Sequence, residues 1–228
     1  MEPPKWTDGW ERQWGGWAVP HIVRVLVAFN ILTYLLIKVD PSLEFDQTLS
    51  LIPSKLLEGE IWRLVTFLLV PNTSGGSFEG IFFFIFCWFM WFIGGALHEA
   101  WGDFRLNLYF VISIVAIAVV CFLLYGGVVG PMPSFILLTS LIIAFGTIYP
   151  NYELMLIPIP FPIKAKWLAI IDAGLIILTC VNSPGLIPFA LASLTGYFVF
   201  ILPGFYEKWK LREDSKRRMR RFRGEDDE

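Results

Sequence analysis

The chain is poor in charge and in the residues that most often carry metal or redox chemistry. Charged residues make up 17% of its 228 positions, whereas soluble domains carry about a quarter. Two histidines and three cysteines are present. The cysteines, Cys87, Cys121 and Cys180, lie in or beside apolar segments without metal-ligand spacing. We expect them to be small buried hydrophobic residues.

Apolar residues dominate the composition instead. Hydrophobic residues account for 56% of the chain and aromatic residues for 17%, and the mean hydropathy is +0.62. These residues occur in long unbroken runs, as segments surrounded by hydrocarbon must. The sequence therefore predicts an all-α integral membrane protein.

Six apolar runs approach the length of about twenty residues that a membrane-spanning helix needs. We predict a six-helix membrane domain over residues 21–205, with its spans at 22–37, 78–94, 106–125, 134–149, 164–181 and 185–202. The apolar stretch 62–70 is too short to span, so the first loop is expected to dip into the membrane. Residues 206–228 form a charged tail, whose basic cluster is either a solvated helix end or a contact with anionic lipid head groups.

The first twenty residues form a polar segment with several tryptophans and without a basic start or a cleavage site. We expect residues 1–20 to lie at the membrane interface. With both termini in the cytoplasm, the outer side carries Lys38, Lys55 and Arg63, and the other 15 of the 18 basic residues lie inside. The positive-inside rule favours this orientation. The tail charge and the lack of a signal peptide together predict a bacterial inner membrane.

Four segments carry a recognisable pattern: a Trp-Arg pair in the first loop, a Gly- and Glu-containing turn at 95–102, a Tyr-Pro-Asn turn followed by 162–167, and a Gly-Tyr pair near the chain's last apolar run. Their key residues are Trp62, Arg63, Glu99, Gly102, Pro162, Lys164, Lys166 and Gly196. In order and spacing these segments resemble the rhomboid superfamily over roughly residues 20 to 205. The resemblance implies a six-helix rhomboid-like bundle. His98 stands where that family usually has leucine.

The residues with which a rhomboid cuts a peptide bond do not stand at their places in this chain. Family spacing puts Phe135 at the serine nucleophile, Phe189 at the histidine base, and Phe83 and Cys87 at the oxyanion positions. A second register puts Met132 at the nucleophile, and the neighbouring serine, at position 134, is not part of a Gly-x-Ser-Gly motif. The resemblance is therefore to inactive, derlin-like members, and we predict a pseudoprotease without enzymatic activity.

Three other polar residues have candidate roles. Asp172 lies inside a predicted span, where it either pairs with Lys166 or a polar group of a neighbouring helix, or serves as a proton or client contact. Arg63 is expected to meet lipid phosphates or a backbone carbonyl while Trp62 anchors the loop at the interface. His98 has no second ligand near it in the sequence, so we predict no metal and no cofactor.

A retained scaffold around an erased site predicts a binding protein. We expect it to bind transmembrane helices of other proteins and to perturb the surrounding lipids, in membrane-protein quality control, trafficking or complex assembly. The alternative is a fixed accessory subunit of a larger membrane complex, docked through the aromatic second span and the N-terminus. Membrane lipids and transmembrane helices are the expected partners, and nucleic acid is not.

Overall fold

Apolar segments of this chain fold as helices because hydrocarbon offers the backbone no other hydrogen-bond partners. A computed structural model describes residues 6–40, 45–71, 78–123, 134–154, 162–204 and 215. Its helices are α1 Thr7–Trp14, α2 Ile22–Val39, α3 Phe45–Leu49, α4 Pro53–Leu57, α5 Arg63–Thr66, α6 Glu79–Leu123, α7 Phe135–Ile148, α8 Ala165–Asn182, α9 Ile187–Ser193 and α10 Thr195–Gly204. Strands β1 Glu153–Leu154 and β2 Ile163–Lys164 pair antiparallel.

Short 3₁₀ turns lie at Gly15–Trp17, Phe67–Leu69 and Pro184–Leu186. The predicted membrane-dipping stretch of the first loop consists of α5 and the turn that follows it. Most of the predicted charged tail at 206–228 lies outside the described residues, as does most of the loop that joins β1 to β2.

In the part of the chain that the structure describes, three helices are long and apolar enough to cross a membrane: α2, α6 and α8. Helices α9 and α10 together make a fourth candidate, bent by 51°. Helix α7 is apolar but has only 14 residues. These features support the predicted class of all-α integral membrane protein.

Helix α6 is bent at Gly102, whose φ of 77° and ψ of 170° lie outside the helical region. A residue with a side chain rarely adopts this conformation. The sequence pattern predicted a longer link, from residue 95 to 105, but the helix continues on both sides of the glycine. The polar residues of that stretch are compatible with a helix that leaves the hydrocarbon, so only the glycine interrupts it.

The two arms of α6, residues 79–101 and 103–123, fold back towards each other. The ring of Phe92 in the first arm lies 6.0 Å from that of Phe145 in α7, and the hydroxyl of Tyr109 in the second arm lies 2.6 Å from that of Ser140 in α7. A straight helix would hold Phe92 and Tyr109 about 25 Å apart, whereas Ser140 and Phe145 are separated by about 8 Å along α7. The bend at Gly102 therefore brings both arms onto α7.

Glycines allow helices of this chain to approach closely, as is usual where helices pack within a membrane. A β-carbon added at Gly196 of α10 would lie 2.6 Å from Ser113 Oγ and 2.7 Å from the backbone oxygen of Tyr109. The amide of Gly196 donates a hydrogen bond to Ser113 Oγ over 3.1 Å. The Gly-Tyr pair singled out in the sequence thus joins α10 to the second arm of α6. Gly146 allows a similar approach between α7 and α8.

Replacing Gly196 with alanine is expected to destabilise the fold by about 1 to 3 kcal/mol, because the methyl group has no space against α6. Gly174 in α8 is the matched control, since nothing lies within 4 Å of an added β-carbon there. Gly174→Ala should leave stability unchanged or raise it by up to about 1 kcal/mol. Thermal unfolding in detergent micelles measures both, and equal effects would contradict the proposed packing.

Candidate functional site

The first loop is held together by a buried arginine. Arg63 is 3% exposed, and its Nη1 donates hydrogen bonds to the backbone oxygens of Gln47 and Ser50, both over 2.7 Å. Its Nε pairs with the carboxylate of Glu60. Of the two roles considered for this arginine, contact with backbone carbonyls is the one observed. Trp62 is 53% exposed, as an interfacial anchor would be.

The positions to which the rhomboid resemblance assigns the protease residues are filled with apolar side chains. Phe83, Cys87 and Phe189 are each 3% or 4% exposed and belong to the main hydrophobic core. Phe135 packs against the small neighbouring cluster of Ile136, Ile176 and Ala190. The nearby hydroxyl of Ser134 donates a hydrogen bond to the backbone oxygen of Val70 over 3.0 Å, so it ties α7 to the first loop.

A groove of about 480 Å³ opens between α2, the first arm of α6, α7 and the turn after α7. We call it the aromatic groove; it is lined by Arg24, Trp88, Trp91, Phe92, Gly95, Ala96, Glu99, Phe145, Tyr149 and Tyr152. The guanidinium carbon of Arg24 lies 5.4 Å from the ring centre of Trp91, and Arg24 Nε is buried without a hydrogen-bond partner. The groove therefore combines apolar walls with one incompletely paired cation and, at Glu99, one anion.

A second, almost wholly apolar cavity of about 570 Å³ runs along α6 and shares Trp88 with the groove. Its other lining residues are Gly80, Ile81, Phe84 and Ile85. Their spacing of three or four residues places them on one helix face. The aromatic second span thus presents an outward-facing surface, with Phe84 at 46% and Trp88 at 50% exposure. Whether another protein covers it stays a proposal.

Asp172 is 7% exposed on α8 and lies beside the hydroxyl of Thr139 on α7. Its Oδ2 atom is buried without a hydrogen-bond partner. Lys166, the alternative partner, instead places its Nζ 5.5 Å from the ring centre of Trp167. Of the partners considered for Asp172, the hydroxyl of Thr139 on the neighbouring helix is the one that lies beside it.

The Tyr-Pro-Asn turn and the segment that begins at Pro162 are joined by backbone hydrogen bonds. The amide of Ala165 donates to the oxygen of Tyr152 over 2.9 Å, and the amide of Lys166 donates to that of Pro150 over 3.3 Å. Lys164 precedes α8 in an extended conformation. These motif residues therefore fix where α8 begins.

The N-terminal helix docks at the start of the second arm of α6. Arg105 pairs with Asp8 over 2.7 Å and with Glu11 over 2.8 Å, and its Nε donates a hydrogen bond to Thr7 Oγ1. The tryptophans of this segment are largely exposed, with Trp17 at 84%. The predicted interfacial segment is thus tied to the bundle by charge while its aromatic face points outward.

Comparison with known protein families shows which family the chain belongs to. Residues 21–226 match the protein family described as Eukaryotic integral membrane protein (DUF1751). The chain belongs to this family. No curated protein and no solved structure matches it. Membership of the DUF1751 family supports integration into a membrane, while kinship with rhomboids stays a resemblance.

The prediction of a bacterial inner membrane is wrong, because the DUF1751 family is described as eukaryotic. The error arises because the charge pattern of the chain does not distinguish a bacterial inner membrane from a eukaryotic membrane. An excess of basic residues on the cytoplasmic side orients membrane proteins in general. The charge pattern therefore bears on orientation and says nothing about which organism's membrane holds the chain.

Arg63→Met is expected to destabilise this DUF1751 protein by about 3 kcal/mol, because the carbonyls of Gln47 and Ser50 lose a charged donor. The apolar stem is kept, so the loss reports the guanidinium. Glu58→Gln, at an exposed position of the same loop, should change stability by less than about 0.5 kcal/mol. Thermal unfolding and limited proteolysis of the first loop measure the stability of both variants. Equal stability of the two would contradict the prediction.

Proposed function

We propose that this chain is a non-proteolytic, rhomboid-like membrane protein that binds the transmembrane helix of another protein along the first arm of α6. The observation that carries the proposal is the pair of outward-facing cavities that meet at Trp88. Together they extend from Gly80 to Glu99 on one face of the helix. Binding of clients at this face would serve membrane-protein quality control, trafficking or complex assembly.

In this proposal the chain crosses the membrane six times: through α2, each arm of α6, α7, α8 and the α9–α10 pair. The 45 residues of α6 correspond to about 68 Å of helix, more than twice the roughly 30 Å of hydrocarbon in a bilayer. The bend at Gly102 lets each arm cross separately. Both termini then lie in the cytoplasm, with the aromatic groove at the cytoplasmic end of the bundle.

The chemistry of the surface favours a helix as its occupant. Ile81, Phe84, Ile85 and Trp88 repeat at the spacing with which one helix face meets another. The apolar cavity suits the membrane-embedded part of a client, and Arg24 with Glu99 suits the polar residues where such a helix leaves the hydrocarbon. Charged or polar side chains are common near the ends of membrane-spanning helices, where they reach the interface.

Burial of the former catalytic positions supports binding without cleavage. Phe83, Cys87 and Phe189 take part in core packing, and the hydroxyl of Ser134 is engaged by Val70. A serine needs a neighbouring base to become a nucleophile, and the chain's two histidines lie beside the bend in α6. In the proposed arrangement the first loop perturbs the lipids around the client.

Photo-cross-linking in native membranes tests the binding surface. A photoreactive phenylalanine analogue at Phe84 should capture membrane-spanning peptides of other proteins several-fold more than the same analogue at Phe122, which is 57% exposed on the second arm of α6. Mass spectrometry of the adducts identifies what is captured. Lipid adducts alone at Phe84, or equal capture at both positions, would contradict the proposal. One partner at a fixed ratio would favour the alternative of a permanent complex subunit.

Reconstitution in liposomes tests the absence of proteolysis. The wild-type protein and Ser134→Ala should both leave a panel of helical substrates uncut. Ser134→Ala should still lower stability by about 1 kcal/mol, because its hydrogen bond to Val70 is lost. Cleavage by the wild-type protein that disappears in Ser134→Ala would contradict the proposed absence of proteolysis.

A further inference from the structure

The only two histidines of the chain, 77 positions apart, meet beside the bend in α6. The ring centres of His21 and His98 lie 4.0 Å apart at an interplanar angle of 48°. Asp103 joins them, with its Oδ1 2.9 Å from His98 Nδ1. One possible ligand atom from each of the three residues lies within 4.8 Å of the others. Folding thus brings His21 to His98 and Asp103, which lie only five positions apart in the sequence.

Hydrogen bonding accounts for only part of this cluster. The Nδ1 atoms of His21 and His98 are both buried and have no hydrogen-bond partner. The contact between His98 Nδ1 and Asp103 is short, but its geometry is not that of a hydrogen bond. Buried polar atoms in proteins are nearly always paired, and an unpaired one calls for an explanation such as a bound ion.

The backbone at His21 is also unusual. Its φ of 49° and ψ of 43° are left-handed, and it is the one non-glycine residue with positive φ among those described. The amide of His21 donates to Asp103 Oδ1 over 2.7 Å, which holds this conformation. Strained backbone persists where surrounding structure enforces it and is concentrated at functional sites. Here it turns the imidazole of the residue before α2 towards the bend.

We propose that His21, His98 and Asp103 bind a divalent transition-metal ion, with Zn²⁺ as the best match. Zn²⁺ accepts two imidazole nitrogens and one carboxylate oxygen as ligands, whereas Mg²⁺ and Ca²⁺ prefer oxygen ligands throughout. Tetrahedral bonds of the usual length hold ligand atoms about 3.4 Å apart, so small side-chain rotations close the site. Three protein ligands leave one position open for water or another ligand.

The ion would join three parts of the chain at the cytoplasmic end of the bundle. His21 precedes α2, His98 lies in the last turn of the first arm of α6, and Asp103 begins the second arm directly after Gly102. Two residues further on, Arg105 holds α1. Metal binding therefore fixes the bend and the docked N-terminal segment, and an ion that binds the folded state alone raises its stability. This inference stands independently of the binding surface on α6.

Metal titration of the purified full-length protein tests the site, with an affinity tag that contains no histidine. Co²⁺ reports its ligands by visible absorption, and Zn²⁺ is followed by competition with a chromophoric chelator. The expected result is one ion per chain and a rise in the unfolding temperature with Zn²⁺ but not with Mg²⁺. His98→Gln and Asp103→Asn should each weaken binding roughly a hundredfold. His21→Asn should weaken binding to the same extent. Asparagine is chosen because it tolerates the left-handed backbone at this position.

Glu153→Gln is the control, because Glu153 is an exposed carboxylate outside the cluster. It should bind Zn²⁺ as the wild-type protein does. Asp103→Asn keeps an acceptor for the amide of His21, so folding of this variant, checked by circular dichroism and gel filtration, separates lost ligation from lost structure. The proposal is overturned if the wild-type protein binds no Co²⁺ or Zn²⁺ at micromolar concentration. It is equally overturned if the folded variants bind these ions as tightly as the control.

Discussion

Hydrocarbon supplies no hydrogen-bond partner, and each polar group in this bundle must find one within the protein. Asn30 donates from α2 to the backbone oxygen of Leu68 in the first loop over 2.8 Å. Arg63 satisfies two carbonyls of that loop, and Ser113 accepts the amide of Gly196. These side chains hold the first loop and α10 in place. The same few polar residues therefore pair the polar groups that hydrocarbon leaves without partners, and they define how these segments pack.

Against this background, the buried polar side-chain atoms that lack a partner are informative. Within the described part of the chain they belong to His21, Arg24, His98 and Asp172. Arg24 lines the aromatic groove, the two histidines form the proposed metal site, and Asp172 faces Thr139 between α7 and α8. Three of the four lie at the same end of the bundle, around the bend in α6. That end holds the proposed metal site, whereas Phe83, Cys87 and Phe189 belong to the hydrophobic core.

The linear pattern was sufficient for features that depend on neighbours along the chain. Hydropathy placed α2, α7 and α8 within two residues of their observed bounds. An apolar segment in a membrane forms a helix because its backbone groups then bond to each other. Motif spacing identified Gly102 and Gly196, whose structural roles follow from the missing side chain. It also found Arg63, although either of two partners for its guanidinium fitted the sequence. Residue type alone led to the prediction that the chain lacks rhomboid protease chemistry.

Features that join distant segments were beyond the reach of that pattern. A helical period relates residues three or four positions apart, so it contains no information that His21 meets His98 or that α7 contacts both arms of α6. Those contacts depend on the direction of the chain after Gly102, which the packing of the whole bundle sets. The sequence thus determined that the chain lies in a membrane and where most of its helices run. The folded bundle established which polar groups meet, because proximity across the bend is a property of three-dimensional packing.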